Sequence, residues 1–397
     1  DGIRDHCVTG VQTCALPICN TRRQIFRLIK TIEGGKRRQE VVVILQLDFV
    51  AAFTSARQQA LRKTHEAYGM PPADLALIQR MQAGSWYCVV NPFGMTAACE
   101  LNNGTKQGCP ASPAFYINMG DPLLHLASLS GLGWKPPAAQ PLILQGGPRE
   151  EVEAQTIESD PMTQFVDDLD AIATGARAIE HARDLLALIE LWTPWAGTAL
   201  NLDKSRCVAI DFATNSQVDT SSVVYRGKPL KTLRPDEAFK HLGVRLTLTL
   251  DFAHEKRRVI EATQERVDKV INARALSPSQ RELVVQYAII PVFQYSAGLV
   301  PWTLTELEEL TRIWTRAYRG LWSLPRSADS SLFRLSHGHG GRGCPSALAI
   351  WCTEAASLVT QCMRVPGVVA SLMQAELQRA CVNRGCMTLY QLQRMLR

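Results

Sequence analysis

The run Val41-Val-Val-Ile-Leu-Gln-Leu47 ends in Asp48, and nothing else in the chain constrains its fold as tightly. An apolar stretch of this length, rich in β-branched residues and without alternation, predicts a strand buried on both faces. A carboxylate at the end of such a strand is costly unless something neutralises it. A second acidic site, Asp167–Asp168, interrupts another strand candidate, Thr163 to Ala173. An isolated Asp-Asp usually marks a solvated turn. Two acidic sites at apolar strands, however, suit a pair of divalent cations about 3.5–4 Å apart, one activating an attacking hydroxyl and the other stabilising a leaving oxygen. Mg²⁺ fits that task because it accepts few carboxylates and fills its shell with water and phosphate oxygens.

The flanking sequence predicts alternating helices and strands. Ser55 can cap a helix to about Tyr68, closed by Gly69, with Pro71–Pro72 opening the next. Trp86 to Val90 and Met95 to Leu101 flank Asn91-Pro-Phe-Gly94 and read as a hairpin. Ala114 to Leu129 reads as helix, and Gly131 to Pro161 as a surface loop. Ile179, Leu185, Leu186, Ile189 and Trp192 share a helical face, and Arg206–Ile210 and His241–Leu246 are short strands. Beyond about Asp251 the pattern is helical, with Lys256, Arg257, Arg258, Arg266 and Lys269 around an apolar stripe.

Leu283 to Thr305 carries no formal charge and is long enough to invite a membrane span. Its two Gln, Pro291 and Pro301 instead favour a buried helix ending near Pro301, followed by a helix over about Thr305–Tyr318. His337, His339 and Cys344 lack a fourth ligand for a zinc site. Twelve cysteines without a CxxC pair indicate neither a zinc ribbon nor a disulfide framework, which suits a reducing, intracellular compartment. The net charge of +6 permits a nucleic-acid partner without demanding one. At 397 residues the chain has room for two or three units. Its opening residues stand apart: Val8 to Ile18 resembles the translation of a sequencing-library adapter, so residues 1–19 are read as foreign to the fold.

Five segments, in order, resemble reverse transcriptases, particularly those of non-LTR retrotransposons. They are Leu47-Asp-Phe-Val-Ala-Ala-Phe53, Gly104-Thr-Lys-Gln-Gly-Cys-Pro-Ala-Ser-Pro113, Phe165-Val-Asp-Asp168, Leu200-Asn-Leu-Asp-Lys-Ser205 and Lys240-His-Leu-Gly-Val244. The resemblance implies an α+β fold of the polymerase right-hand type. Residues 20–250 would form partial fingers and a ferredoxin-like palm, 251–335 an α-helical thumb, and 336–397 a helical extension. It implies RNA-directed DNA polymerase activity with two Mg²⁺ ions, Mn²⁺ being an alternative. An RNA template, a DNA primer and deoxynucleoside triphosphates would be its partners, and the nucleus and cytoplasm its location. No membrane partner is implied.

Residue by residue, the resemblance makes Asp48 and Asp167 metal ligands with Asp168 as the accompanying acid, and the Phe49 carbonyl a further ligand. Phe53 would lie under the sugar and exclude a 2′-hydroxyl; a core aromatic is the other reading. Gln107 and Gly108 would approach the template–nucleotide pair. Lys204 matches a lysine proposed to protonate the departing pyrophosphate, and is equally a solvated strand-end lysine. The basic face from Lys256 to Lys269 would follow the template–primer backbone.

The pattern departs from the family at Thr54, where a second Asp is usual, and at Cys109, often Asp. The fingers residues that grip the triphosphate would lie upstream of Thr21, so the chain reads as an N-terminally truncated fragment. A catalytically inactive RNA-binding remnant of a decayed element is the alternative from another class. A group II intron maturase-like enzyme is the nearer one, and a viral RNA-dependent RNA polymerase a more distant sibling.

Overall fold

The structure, a computed structural model, describes residues 21–82, 86–88, 90–100, 103–105, 109, 111–136, 159–325, 327–364 and 367–382. The chain divides into two compact units. Among the described residues, the first holds 21–24, 31–136 and 159–237, and the second holds 25–30 and 238–382.

The first unit is a mixed α/β body. Helix α1 (Thr21–Arg38), whose residues 25–30 count with the second unit, leads into β1 (Val41–Leu47). Helices α2 (Ala52–Ser55), α3 (Gln58–Ala67) and α4 (Pro72–Gln82) follow, then the short strands β2 (Trp86–Tyr87), β3 (Val90–Asn91), β4 (Gly94–Met95) and β5 (Cys99–Glu100). Helix α5 (Ser112–Leu129), β6 (Met162–Phe165), β7 (Asp168–Thr174), α6 (Ala178–Ala196), β8 (Arg206–Asp211), β9 (Ser216–Gln217), β10 (Val224–Tyr225), β11 (Lys228–Pro229) and β12 (Lys231–Leu233) complete it.

Strand β1 lies inside a sheet of order β12-β8-β1-β7-β6, with β9 paired to β8. It runs antiparallel to β7 and β8, while β12 joins β8 in parallel, so the sheet is mixed. Because side chains alternate across a strand, Val43, Leu45 and Leu47 share one face with Leu169, Ala171, Ala173, Cys207 and Ala209. That face packs in one core with Tyr116, Met119 and Leu123 of α5 and Leu185, Leu186, Ile189 and Trp192 of α6. Val42, Ile44, Ile172, Val208 and Ile210 on the opposite face are buried as well. The continuous apolar run of β1 is thereby explained: neither of its faces meets water.

Three details differ from the sequence reading. Ser55 ends α2 rather than capping the next helix, which starts after Arg57. The segment expected as one strand, Thr163 to Ala173, is two strands folded on each other about Val166–Asp167. Most of the loop expected over Gly131 to Pro161 lies outside the described residues.

The second unit contains a hairpin of β13 (Phe239–His241) and β14 (Val244–Leu246), then helices. These are α7 (Ala253–Asn272), α8 (Pro278–Val284), α9 (Ile290–Ala297), α10 (Leu304–Leu321), α11 (Ser331–Arg334), α12 (Ala347–Met363) and α13 (Val368–Val382). The uncharged Leu283–Thr305 stretch is no single helix. A π-helical turn over Val285–Ile289 joins α8 to α9, which stops at Ala297, four residues before Pro301. Phe293 packs edge-on against Trp302 and Trp314, with ring centroids 5.2 and 5.8 Å away. Capping boxes at Ser277 and Thr303 satisfy the free amide groups that open α8 and α10. Among the described residues no helix is long and apolar enough to cross a membrane.

The basic face of α7 is largely engaged within the protein. Lys256 lies 2.9 Å from Glu306, Arg258 lies 2.5 Å from the buried Glu255, Lys269 lies 2.5 Å from Glu265, and Arg266 donates to the Ala288 carbonyl. A backbone-tracking surface of free cations, as the sequence suggested, is therefore not what these four side chains present.

Candidate functional site

The acidic residues meet because of strand register. Leu47 pairs with Leu169, so one residue further on Asp48 leaves the sheet beside the turn joining β6 and β7. A short antiparallel bridge then binds this exit to the segment after α6: Asn201 donates to the Asp48 carbonyl at 2.8 Å and Val50 donates to Ala199 at 2.8 Å. The Asp48 amide donates to the Ser205 hydroxyl at 3.2 Å. Phe49 pairs with Leu200 in this bridge, its ring packed on Trp192 with centroids 5.7 Å apart. The bridging bonds use the Asp48 carbonyl and the Val50 amide, leaving the Phe49 carbonyl outside them.

Asp167 occupies the second position of a two-residue hairpin loop, since Phe165 pairs with Asp168. Val166 before it adopts φ 58°, a left-handed conformation that a β-branched residue rarely takes. Such a residue costs about 1–3 kcal/mol and persists only where packing over-determines it. Val166 is indeed buried, and its carbonyl accepts a 2.6 Å hydrogen bond from the Gln164 side-chain amide.

Asp167 keeps solvent contact, yet burial of its surroundings raises its carboxyl above the usual carboxylate value. A hydrogen bond within its own residue opposes this rise, the negative charge of Asp48 adds to it, and Lys204 partly offsets it. The two acids thus share one electrostatic environment. Lys204 Nζ lies 3.9 Å from Asp48 Oδ2, an exposed ion pair of little stabilising value. Asp168 opens β7 and is exposed. Among the described residues no three His, Cys, Asp or Glu groups gather closely enough to hold a metal by themselves.

Two carboxylates with a neighbouring backbone carbonyl form an all-oxygen donor set. That set fits a hard cation such as Mg²⁺, which is bound through one or two carboxylates and takes its remaining oxygens from water and phosphate.

Beneath the acids lies Tyr116 of α5, fully buried. Burial first, then the charges of Asp167 and Asp48, push its phenol well above the usual value. The Phe53 ring rests on it with centroids 5.4 Å apart. Phe53 is half-buried against the core, so both readings of this residue, core aromatic and floor of a sugar site, remain physically open. Gly104 approaches the same segment closely. Its amide donates to Ala56 at 2.7 Å, the Thr105 amide donates to Phe53 at 2.7 Å, and a Cβ on Gly104 would overlap the Phe53 carbonyl. Gln107 and Gly108, three and four residues on, lie outside the described residues.

Three participants were not singled out from sequence: Ser205, Tyr116 and Gln164. Ser205 sits within a quoted motif. Nothing about an isolated Tyr on a helix or a Gln in a strand separates them from ordinary core and edge residues.

The chain matches the family model described as "Reverse transcriptase (RNA-dependent DNA polymerase)" over residues 12–246. Solved structures also resemble it. Telomerase from Candida albicans, in complex with a fragment of telomeric RNA, is 12% identical, with 90% of this chain and 53% of that chain covered and a TM-score of 0.37. Apo telomerase from Candida tropicalis is 10% identical, with 94% and 61% covered and a TM-score of 0.37. This chain therefore spans little more than half the length of those structures.

Proposed function

Because the chain belongs to the reverse transcriptase (RNA-dependent DNA polymerase) family, which its match over residues 12–246 establishes, we propose that it extends a DNA primer on an RNA template by two-metal nucleotidyl transfer, as part of a non-LTR retrotransposon protein. The carrying observation is the convergence of Asp48 and Asp167, from β1 and the β6–β7 turn, into one electrostatic environment beside Lys204. In this reading Asp48, Asp167 and the Phe49 carbonyl hold the ions, with Asp168 as the accompanying acid. Bound Mg²⁺ supplies Lewis-acid activation of the primer hydroxyl and charge stabilisation at the phosphoryl oxygens.

The protein's own groups do the rest. Phe53, resting on Tyr116, forms a floor under the incoming sugar, so that a 2′-hydroxyl meets a ring edge and a deoxyribose does not. Lys204, exposed and 3.9 Å from Asp48, can swing to the departing pyrophosphate and deliver a proton. Gln107 and Gly108 would border the template–nucleotide pair. The mixed sheet serves as the palm and the helices after residue 251 as the thumb. The RNA template, DNA primer, deoxynucleoside triphosphates and a nuclear and cytoplasmic ribonucleoprotein setting complete the proposal.

Primer extension on an RNA template with Mg²⁺ tests this reading, using a version of the chain joined to an upstream fingers segment. DNA synthesis abolished by Asp167→Ala is the expected result. Synthesis indifferent to that substitution overturns the site, and salt-sensitive RNA binding without synthesis favours the inactive remnant.

A further inference from the structure

The turn that presents Asp167 is strained, and a residue outside the quoted motifs holds it. Gln164, buried on β6, sends its side-chain amide 2.6 Å to the carbonyl of Val166, the residue with φ 58°. It can do so because Gly120 of α5 leaves room: a Cβ there would overlap the Gln164 Oε1, Cδ and Nε2 atoms together. Tyr116 and Gly120 are four residues apart on α5 and therefore share one helix face. That face carries the buried phenol below the acids and the notch below the turn.

We propose that the Gly120 notch and the Gln164 side chain form a brace that fixes the Val166–Asp167 turn, making Gln164 a positioning residue for cation binding at Asp167. The inference rests on the reading of Asp48 and Asp167 as cation ligands. A left-handed valine has no intrinsic preference for its conformation, so some tertiary contact must select it. The Val166 side chain is packed in the core, which restrains one end of the residue. The Gln164 amide restrains the other, by bonding the carbonyl that leads directly into the Asp167 amide. Gln is suited to this position, because it donates a hydrogen bond without adding a third negative charge beside Asp48 and Asp167. Residues that orient a metal's ligands alter its affinity by about 10–100-fold when changed.

The test is Mn²⁺ binding to the whole chain, followed by electron paramagnetic resonance, together with amide hydrogen exchange. Gln164→Met keeps the volume and removes the donor, whereas Gly120→Ala keeps the donor and removes its space. Both should weaken Mn²⁺ binding about tenfold or more, and both should speed exchange at the amides of residues 166–168. Asp167→Ala serves as the reference. If it abolishes that binding while Gln164→Met and Gly120→Ala bind Mn²⁺ as the parent does, the brace is refuted and the site stands. If Asp167→Ala itself leaves binding unchanged, the ligand assignment fails and takes the brace with it. Should Gly120→Ala fail to fold, Gln164→Asn, one methylene short of Val166, decides the matter with the same two measurements.

Discussion

Two hairpins of the first unit have loops of equal length and opposite character. One turns through Val166–Asp167 between β6 and β7, the other through Pro92–Phe93 between β3 and β4. Neither uses the Asn-Gly or Asp-Gly pairs that favour two-residue loops. The first is buried on its valine side, braced by Gln164 and strained. The second stands in solvent, with Phe93 98% exposed and the positive φ of its strand residue Gly94 carried by a glycine. An energetically poor turn survives where surrounding packing enforces it, and there the chain places a carboxylate. Where nothing enforces the turn, the backbone uses residues that need no help.

The largest break in this comparison should come from the loop residues themselves. Asp167→Ala should slow primer extension about 10³-fold, as the loss of several kcal/mol of metal-assisted stabilisation implies. Phe93→Ala should leave the rate within about twofold, and steady-state kinetics of both variants reads the contrast.

Next come the glycines. Gly104→Ala combines a φ of 84° with overlap onto the Phe53 and Thr54 backbone, so it should destabilise by about 2–4 kcal/mol in urea titrations. Gly94→Ala, with φ 134° and open space around it, should cost only backbone strain, about 1–2 kcal/mol.

A third two-residue loop, Leu242–Gly243 between β13 and β14, supplies a pH probe. His241 precedes it, fully enclosed, and burial first and Arg27 second push its pKa down to about 3. The unfolded chain, with an ordinary histidine, binds a proton below about pH 6.5 that the folded chain refuses down to about pH 3. Stability should therefore fall as pH drops through that window, by at most about 1.4 kcal/mol per pH unit from this group. Urea midpoints measured across the window should show the decline, and His241→Asn should flatten it. The smallest effect is Phe93→Ser, expected within about 0.5 kcal/mol of the parent because the ring packs on nothing.

Much of the sheet was legible because its signals are local. Val41–Leu47 is a strand over the stated bounds, and the hairpin around Asn91–Gly94 pairs as its turn residues suggested. The Thr163–Ala173 segment was misread as one strand because Val-Asp-Asp contains no turn-former. The reversal depends on Gln164 and on a glycine more than forty residues upstream. The cationic face of α7 was misjudged for a similar reason, since Lys256 finds its partner fifty residues away in Glu306. Of the site, the two acids and Lys204 were visible as motif residues. Tyr116 and Gln164 were not, because their importance comes from what lies above them.

The π-helical turn over Val285–Ile289 makes the second unit sensitive to chain length rather than to composition. An α-helix advances about 100° per residue, so the extra residue carried in this turn sets the angular phase of everything after it. A single-residue deletion there would let the ladder close as an ordinary α-helix and rotate Phe293 by about that angle, away from Trp302 and Trp314. No single side-chain replacement in the same stretch shifts so many packed residues together. For this segment, the count of residues is itself inherited information.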